Sequence, residues 1–200
     1  MEEITNKAKQ ILQNPEAMIN MYVIGAFPMA DKDTNEINWY KPEIRTIIPL
    51  DNYNYPRSLK KFIAKSEFTF KYDFDFNSVV KFCANREESW ISDELIDAYL
   101  RMEKLGNVHT VETYLNGKLV GGLYGISYKG AFFGESMFSV IPQASKAALI
   151  KLIEHLNENQ FVLLDVQYST PHLKIFGATE IEFQEFNRLL EKAYKCNCKF

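Results

Sequence analysis

The sequence predicts an α+β fold, in which a small N-terminal mixed α/β part, residues 1–90, packs on a C-terminal part, residues 91–200. The strongest observation is a run of three strand patterns joined by Asn116-Gly117 and Lys129-Gly130, which favour two-residue hairpin turns. The strands are predicted over residues 109–115, 118–128 and 131–138. A helix, a strand and a second helix follow in the pattern. An antiparallel meander extended by these elements is therefore expected.

The N-terminal part mixes short elements of both kinds. Pro15 favours a helix start, because its missing N–H would have no partner there. Helices are predicted over residues 6–13, Pro15–Val23, 56–64 and 78–84, and strands over residues 37–41, 44–50 and 67–72. Residues 25–28 are expected to interrupt them.

The C-terminal part has clearer helix signals. Ser92 can cap a helix over residues 93–105 that Gly106 ends. Pro142 introduces a second helix, a strand covers residues 161–167, and Phe183, Phe186 and Leu190 share one face of a last amphipathic helix.

Charge, hydrophobic segments and Cys/His spacing limit the partners, location and cofactors that the sequence predicts. The net charge of −3 gives no overall basic field, so a polyanion would have to meet a local patch. No signal peptide pattern or membrane-length apolar run is found, so a cytoplasmic protein is expected. The three cysteines and three histidines show no metal-ligand spacing, and we expect neither a metal nor an organic cofactor.

Two acidic residues stand inside apolar strand patterns. Glu135 lies within residues 130–139, and Asp165 shares a strand face with Gln167 because side chains alternate there. A buried carboxylate without a partner costs several kcal/mol, so each acid should have a cationic or hydrogen-bonding partner. These residues therefore predict a site.

A series of short motifs, in order along the chain, resembles the leucyl/phenylalanyl-tRNA–protein transferase family. The match runs from about residue 25 to residue 190. The motifs are Gly25-Ala-Phe-Pro-Met, Trp39-Tyr-Lys-Pro, Arg57-Ser-Leu, Cys83-Ala, Trp90-Ile, Leu119-Val-Gly-Gly-Leu-Tyr-Gly, Phe133-Gly-Glu-Ser-Met-Phe-Ser, Ala144-Ser-Lys, Asp165-Val-Gln and His172-Leu.

The resemblance implies a reaction and a fold. The reaction moves Leu or Phe, and sometimes Met, from aminoacyl-tRNA to the N-terminal Arg or Lys of an acceptor protein, which marks that protein for degradation. The C-terminal part would be similar to the GCN5-related N-acetyltransferases.

Aminolysis of an ester by an α-amino group, whose ordinary pKa is about 8, requires alignment more than strong base catalysis. We hypothesise that Asp165 holds and helps to deprotonate the amine, while Gln167 orients the ester or relays hydrogen bonds. Alternatively, both side chains cap the end of the strand.

Glu135 has two possible partners. One is the cationic side chain of the acceptor, and the other is an internal basic group that holds the sheet.

The donated side chain needs an apolar pocket, for which the sequence offers Leu123, Phe132, Met137, Leu149, Leu152 and Leu164. For any single one of them, a place in the core is the more common role of such a residue. Trp39 and Trp90 can stack on the terminal adenosine or pack between the two parts.

The densest basic cluster is expected on one short helix and comprises Arg57, Lys60, Lys61 and Lys65. It is predicted to contact tRNA, although such a charge run is usually only a solvated face.

Two other functions remain open: an acetyl-CoA-dependent N-acyltransferase, and a non-catalytic binder of aminoacyl-tRNA or basic N-termini. The sequence after Pro142 lacks the glycine-containing turn expected of a pyrophosphate site, which disfavours acetyl-CoA.

Overall fold

A seven-stranded mixed sheet forms the centre of the computed structural model, which describes residues 10–31, 33–85 and 89–200. The helices are α1 Pro15–Val23, α2 Arg57–Lys65, α3 Phe76–Ala84, α4 Asp93–Glu103, α5 Ala144–Glu158, α6 Pro171–Lys174 and α7 Phe183–Ala193. The strands are β1 Phe27–Ala30, β2 Ile37–Tyr40, β3 Ile44–Ile48, β4 Thr69–Tyr72, β5 Val108–Leu115, β6 Lys118–Tyr128, β7 Ala131–Ser139, β8 Leu163–Gln167 and β9 Thr179–Glu182.

The sheet has the order β4-β5-β6-β7-β8-β3-β9, while β1 and β2 form a separate hairpin. Strands β5, β6 and β7 make the predicted antiparallel meander. Asn116 and Gly117 both have positive φ, as a tight hairpin turn requires. Helix α5 then crosses over and returns the chain to β8, which runs parallel to β7. The α+β class is confirmed.

Local signals place several helix starts. The Asn14 side chain accepts bonds from the backbone N–H groups of Glu16 and Ala17 at the start of α1, and Pro15 is the first residue of that helix. Ser92 accepts the N–H of Leu95 and caps α4 as predicted. Residues 10–13 are helical, and the rest of the helix predicted over 6–13 lies outside the described residues.

Three short elements were not predicted. Strand β1 begins inside the segment expected only to interrupt the chain, because Pro28 is tolerated in a hairpin outside the main sheet. Strand β9 is an edge strand that pairs with β3 and lacks apolar alternation, and α6 has only four residues.

Side chains of the meander alternate between two apolar clusters, one on each face of the sheet. Phe133 packs in the cluster with α1, α3, α4 and α7, whereas Phe132 packs in the cluster with α5. Strands β3 and β4, which come from the N-terminal part, belong to the same sheet as the meander. The division at residue 90 stays a prediction, and such a boundary would run through a continuous sheet.

Every helix in residues 10–31, 33–85 and 89–200 is too short or too polar to cross a bilayer.

Candidate active site

The candidate site is a cavity of about 530 Å³ where β7 and β8 separate. The two strands pair only from Ala131 with Leu163 to Phe133 with Asp165. Beyond that point the cavity opens between Gly134 to Ser139 and Val166 to Tyr168. Its volume falls in the range of small-molecule sites, roughly 300–1,000 Å³.

Most of the predicted site residues line this cavity. Those that do are Trp90, Leu123, Glu135, Met137, Leu149, Leu152, Leu164 and Gln167. The aliphatic members come from β6, β7, β8 and α5 and belong to, or pack against, the core cluster that contains α5. Glu135 and Gln167 are the polar members of this set. The cavity therefore combines an apolar chamber with one carboxyl group and one amide.

Phe132, Asp165 and Trp39 do not line the cavity. Phe132 is fully buried and stacks on Phe200 at 5.5 Å between ring centroids, so it is a core residue and its predicted contact with the donated side chain has no support. Trp39 packs edge-on against Tyr22, with 6.2 Å between ring centroids. Its buried Nε1 has no hydrogen-bond partner among the described residues.

Glu135 is held by hydrogen bonds and not by an ion pair with a described residue. The Tyr99 hydroxyl donates to its Oε2 at 2.9 Å, and the Gln167 Nε2 lies 3.4 Å from its Oε1. Behind it, the hydroxyls of Tyr99 and Tyr22 lie 3.1 Å apart. No salt bridge joins Glu135 to a lysine or arginine in the described part of the chain. Of its two possible partners, the internal basic group is therefore disfavoured.

Burial raises the pKa of Glu135 to about 7, even though the two tyrosine hydroxyls favour its ionised form. Burial likewise raises the pKa of Tyr22 and of Tyr99 well above the ordinary value, and the Glu135 charge adds to that effect. Both phenols therefore stay protonated and can donate to Glu135, whose own charge changes near neutral pH.

Asp165 is fully buried beside Arg45. Arg45 donates from Nε to Oδ1 at 2.9 Å and from Nη2 to Oδ2 at 2.5 Å. The backbone N–H of Gln167 donates to the same Oδ1 at 3.0 Å. Contact between Asp165 and an acceptor amine would require this pair to break. The geometry thus favours the strand-end capping alternative for Asp165 over direct deprotonation.

Gln167 has its side chain at the cavity and its backbone in the left-handed region, with φ of 58°. A residue other than glycine adopts this region at a cost of about 1–2 kcal/mol unless its surroundings hold it there. Here the bond from its N–H to Asp165 holds the backbone and directs the amide beside Glu135.

Comparison with known proteins identifies the family. The profile of the leucyl/phenylalanyl-tRNA protein transferase family matches residues 47–191. A leucyl/phenylalanyl-tRNA–protein transferase of Salinibacter ruber is 42% identical over 179 residues, covering 90% of this chain and 79% of that protein. One of Gloeobacter violaceus is 41% identical over 186 residues, covering 93% and 96%.

The chain belongs to the leucyl/phenylalanyl-tRNA protein transferase family. The resemblance given by the ordered motifs is thereby confirmed, and the family is one of aminoacyltransferases.

The likeness of this chain to solved structures is distant. An N-acetyltransferase of Thermoplasma acidophilum in complex with coenzyme A is 10% identical with a TM-score of 0.32, covering 46% of this chain and 75% of that one. A conserved Staphylococcus epidermidis protein of unknown function is 10% identical with a TM-score of 0.46, covering 84% and 64%.

The basic cluster of this transferase-family chain lies on α2. Leu59 is buried, whereas Arg57, Lys60, Lys61 and Lys65 are exposed, so one face of the helix packs and the other presents cations to solvent. No described residue forms a salt bridge with any of these four.

Several lining residues were missed by the pattern of the sequence. They include Phe27, Met29, Phe138, Ser139, Ser145, Tyr168, Thr170 and His172. All of these except Tyr168 and Thr170 stand in the family motifs, which are the signal that could have indicated them. Arg45 carried a signal of its own, because it is a lone cation in the apolar strand that includes Ile47 and Ile48.

No cluster of three or more potential metal ligands occurs within residues 10–31, 33–85 and 89–200.

Proposed function

We propose that this protein transfers Leu or Phe, and in some cases Met, from aminoacyl-tRNA to the N-terminal Arg or Lys of acceptor proteins, in the cytoplasm where its donor occurs. The observation that carries the proposal is one cavity in which an apolar chamber meets Glu135 and Gln167. An apolar amino acid ester and a cationic peptide end each find a complementary surface there.

The apolar chamber suits the donated side chain. Met137, Leu149, Leu152 and Leu164 line it, and a flexible thioether adapts to branched and aromatic guests alike. The polar end suits the acceptor, since Glu135 has no ion-pair partner among the described residues and a guanidinium or ammonium would supply one. Trp90, at the cavity wall, is available to stack on the terminal adenosine.

The transfer forms one bond and breaks one bond. The neutral α-amine attacks the ester carbonyl carbon, the new C–N bond forms and the ester C–O bond to the ribose breaks. The amine loses a proton and the ribose hydroxyl gains one. A useful fraction of the amine is neutral at pH 7, because its ordinary pKa is about 7.7–8.0.

We assign the alignment of this step to Gln167, because its side chain lines the cavity beside Glu135. Its Nε2 can donate to the ester carbonyl oxygen, where negative charge develops, while its carbonyl oxygen can accept from the attacking amine. Asp165 contributes by holding the Gln167 backbone, and an accurate near-attack geometry is itself worth several powers of ten in rate.

We also propose that the C-terminal part has the arrangement of the GCN5-related N-acetyltransferases, with the meander, the α5 crossover and the parallel β8 supporting this. Acetyl-CoA remains disfavoured as donor. At the start of α5, the Ala144 N–H bonds to the Ile141 carbonyl and the Ser145 N–H bonds to the Ser139 hydroxyl. Those groups are not free to hold a pyrophosphate.

The test follows label from donor to acceptor. The full-length protein is incubated with Leu-tRNA, Phe-tRNA or acetyl-CoA, each carrying a labelled acyl group, and a peptide that begins with Arg. We expect label in the peptide from the two tRNAs, none from acetyl-CoA, and none in a peptide whose N-terminus is acetylated. Label from acetyl-CoA alone would establish the N-acyltransferase alternative, and binding without transfer would establish the binder.

A further inference from the structure

Arg45 is a fully buried cation whose guanidinium joins three parts of the chain. Besides its two bonds to Asp165, it donates from Nη1 to the Gly25 carbonyl oxygen at 2.8 Å. Its Cζ atom lies over two aromatic rings, 4.6 Å from the centroid of Phe27 and 4.7 Å from that of Phe186. The planar fork and the two aromatic contacts suit arginine and not lysine.

This arrangement connects Arg45 to one wall of the cavity through Asp165. The Oδ1 atom of Asp165 accepts from both the Arg45 Nε and the Gln167 backbone N–H. Because Asp165 cannot rotate without breaking both bonds to the guanidinium, the direction of the bond to Gln167 is fixed. The left-handed backbone of Gln167 depends on that bond.

Arg45 also contacts a second residue of the cavity lining directly. The Gly25 carbonyl and the Phe27 ring flank the guanidinium, and Phe27 lines the cavity. Phe27 also contacts the ring of Tyr168 edge-on, at 5.6 Å between centroids, and Tyr168 is the residue after Gln167. One buried cation therefore contacts one lining residue, Phe27, directly and a second, Gln167, through Asp165.

We propose that Arg45 is a positioning residue for aminoacyl transfer, which sets the Gln167 amide through Asp165 and the Phe27 ring by direct contact. This inference rests on the proposed function. It differs from a purely structural role, because it predicts a loss of turnover in protein that is fully folded.

The first variant is Arg45→Lys, which keeps the charge and loses the fork. We expect kcat to fall roughly 10- to 100-fold, as a displacement of the order of 1 Å does, while KM for aminoacyl-tRNA changes by less than about threefold. Arg188→Lys is the matched control, since Arg188 is exposed on α7, and it should retain the parent kcat. An unchanged kcat in folded Arg45→Lys overturns the proposal.

Coupling to Gln167 separates positioning from other effects. If Arg45 acts through Gln167, Arg45→Lys should lower kcat much less in a Gln167→Ala background than in the parent protein. An equal further loss in that background contradicts the proposal.

If Arg45→Lys does not fold, a second variant that lacks the ion pair but is expected to fold can test the proposal. Replacing both partners with apolar residues, as in Arg45→Met with Asp165→Leu, is often neutral for stability. We expect this double variant to melt near the parent temperature with kcat reduced at least about tenfold. A parent-like kcat would refute the role.

A readout without turnover distinguishes this inference from the proposed function. The side-chain amide of Gln167, observed by NMR with selective ¹⁵N labelling, should shift in Arg45→Lys and stay in place in Arg188→Lys. Parent protein that transfers no label would contradict the proposed function, and the Gln167 resonances would still decide whether Arg45 positions the Gln167 amide.

Discussion

At the scale of single residues, two opposing effects act on the charge of Glu135. Tyrosine hydroxyls favour the ionised carboxylate, whereas burial disfavours it. A neutral acceptor side chain would leave the ionised carboxylate without compensation, which is how such a site discriminates. The proposed preference for cationic N-termini would follow from this requirement.

The first prediction concerns that preference. Glu135→Gln should reduce the ratio of kcat/KM for an Arg peptide over a citrulline peptide by roughly 10-fold or more, the range expected when a charge-assisted hydrogen bond is removed. Citrulline keeps the shape of arginine and removes its charge. Glu94→Gln, on an exposed position of α4, is the control. An unchanged ratio in Glu135→Gln would assign recognition to another group.

The second prediction concerns stability against pH. The pKa of Glu135 rises from 4.5 to about 7 on folding, so the folded state binds this proton more tightly than the unfolded chain. Its contribution to the free energy of unfolding is greatest below pH 4.5 and is lost as the pH rises through 7. After allowance for partial exposure, about 2–3 kcal/mol is involved.

Glu135→Gln removes that titration. At pH 8 the variant should melt about 5 °C above the parent protein, and at pH 5 the two should coincide. Thermal unfolding followed by circular dichroism at both pH values measures this. The same difference at both values would show that Glu135 does not titrate with a raised pKa.

The residues of the site were predictable to different degrees. Glu135 and Gln167 were indicated because a polar side chain in an apolar strand demands an explanation. The sequence did not indicate that Gln167 lines the cavity while Asp165 does not. Strand alternation predicts both side chains on one face, and the left-handed backbone of Gln167, with φ of 58°, departs from that pattern. The partnership of Asp165 with Arg45 spans 120 positions in the sequence, which no local pattern encodes.

At the scale of elements, α2 is the clearest case of a helix with two roles. Leu59 anchors it on the core, and its four cations point to solvent. In a chain with a net charge of −3, this face is a local concentration of positive charge, which the proposed contact with tRNA requires.

The third prediction concerns that face. Lys60→Glu with Lys61→Glu should weaken tRNA binding and lower the slope of log affinity against log salt by about 1 for every phosphate that the helix no longer binds. The kcat at saturating tRNA should stay near the parent value. Lys192→Glu with Lys195→Glu, both exposed, is the control. Equal salt slopes in the two double variants would remove α2 from the tRNA interface.

Element prediction succeeded where signals were local. Asn116-Gly117 fixed the β5–β6 turn, and Ser92 fixed the start of α4. It failed for β9, whose residues are largely exposed at a sheet edge and form a strand only because β3 pairs with them. Tertiary context, and not propensity, makes that strand.

At the scale of the whole molecule, the site depends on strands from both ends of the chain. Strand β3 lies between β8 and β9 and brings Arg45 to Asp165. This insertion was not predictable, because it pairs strands that are far apart in sequence.

The fourth prediction follows from that order. A fragment of residues 91–200 lacks β3 and β4, so β8 and β9 lose the strand between them. We expect the fragment to give no cooperative thermal transition, in contrast to the full chain. A cooperative transition and a dispersed NMR spectrum from the fragment would establish residues 91–200 as an autonomous domain.

The fifth prediction tests the central claim, that one cavity aligns the donor ester with Gln167. The measurement is a crystal structure of the protein with an adenosine whose 3′ position carries phenylalanine through a stable amide. We predict the phenyl ring between Met137, Leu149 and Leu152, and the amide carbonyl within hydrogen-bonding distance of the Gln167 Nε2. A phenyl ring outside this cavity, or a carbonyl remote from Gln167, would contradict the account.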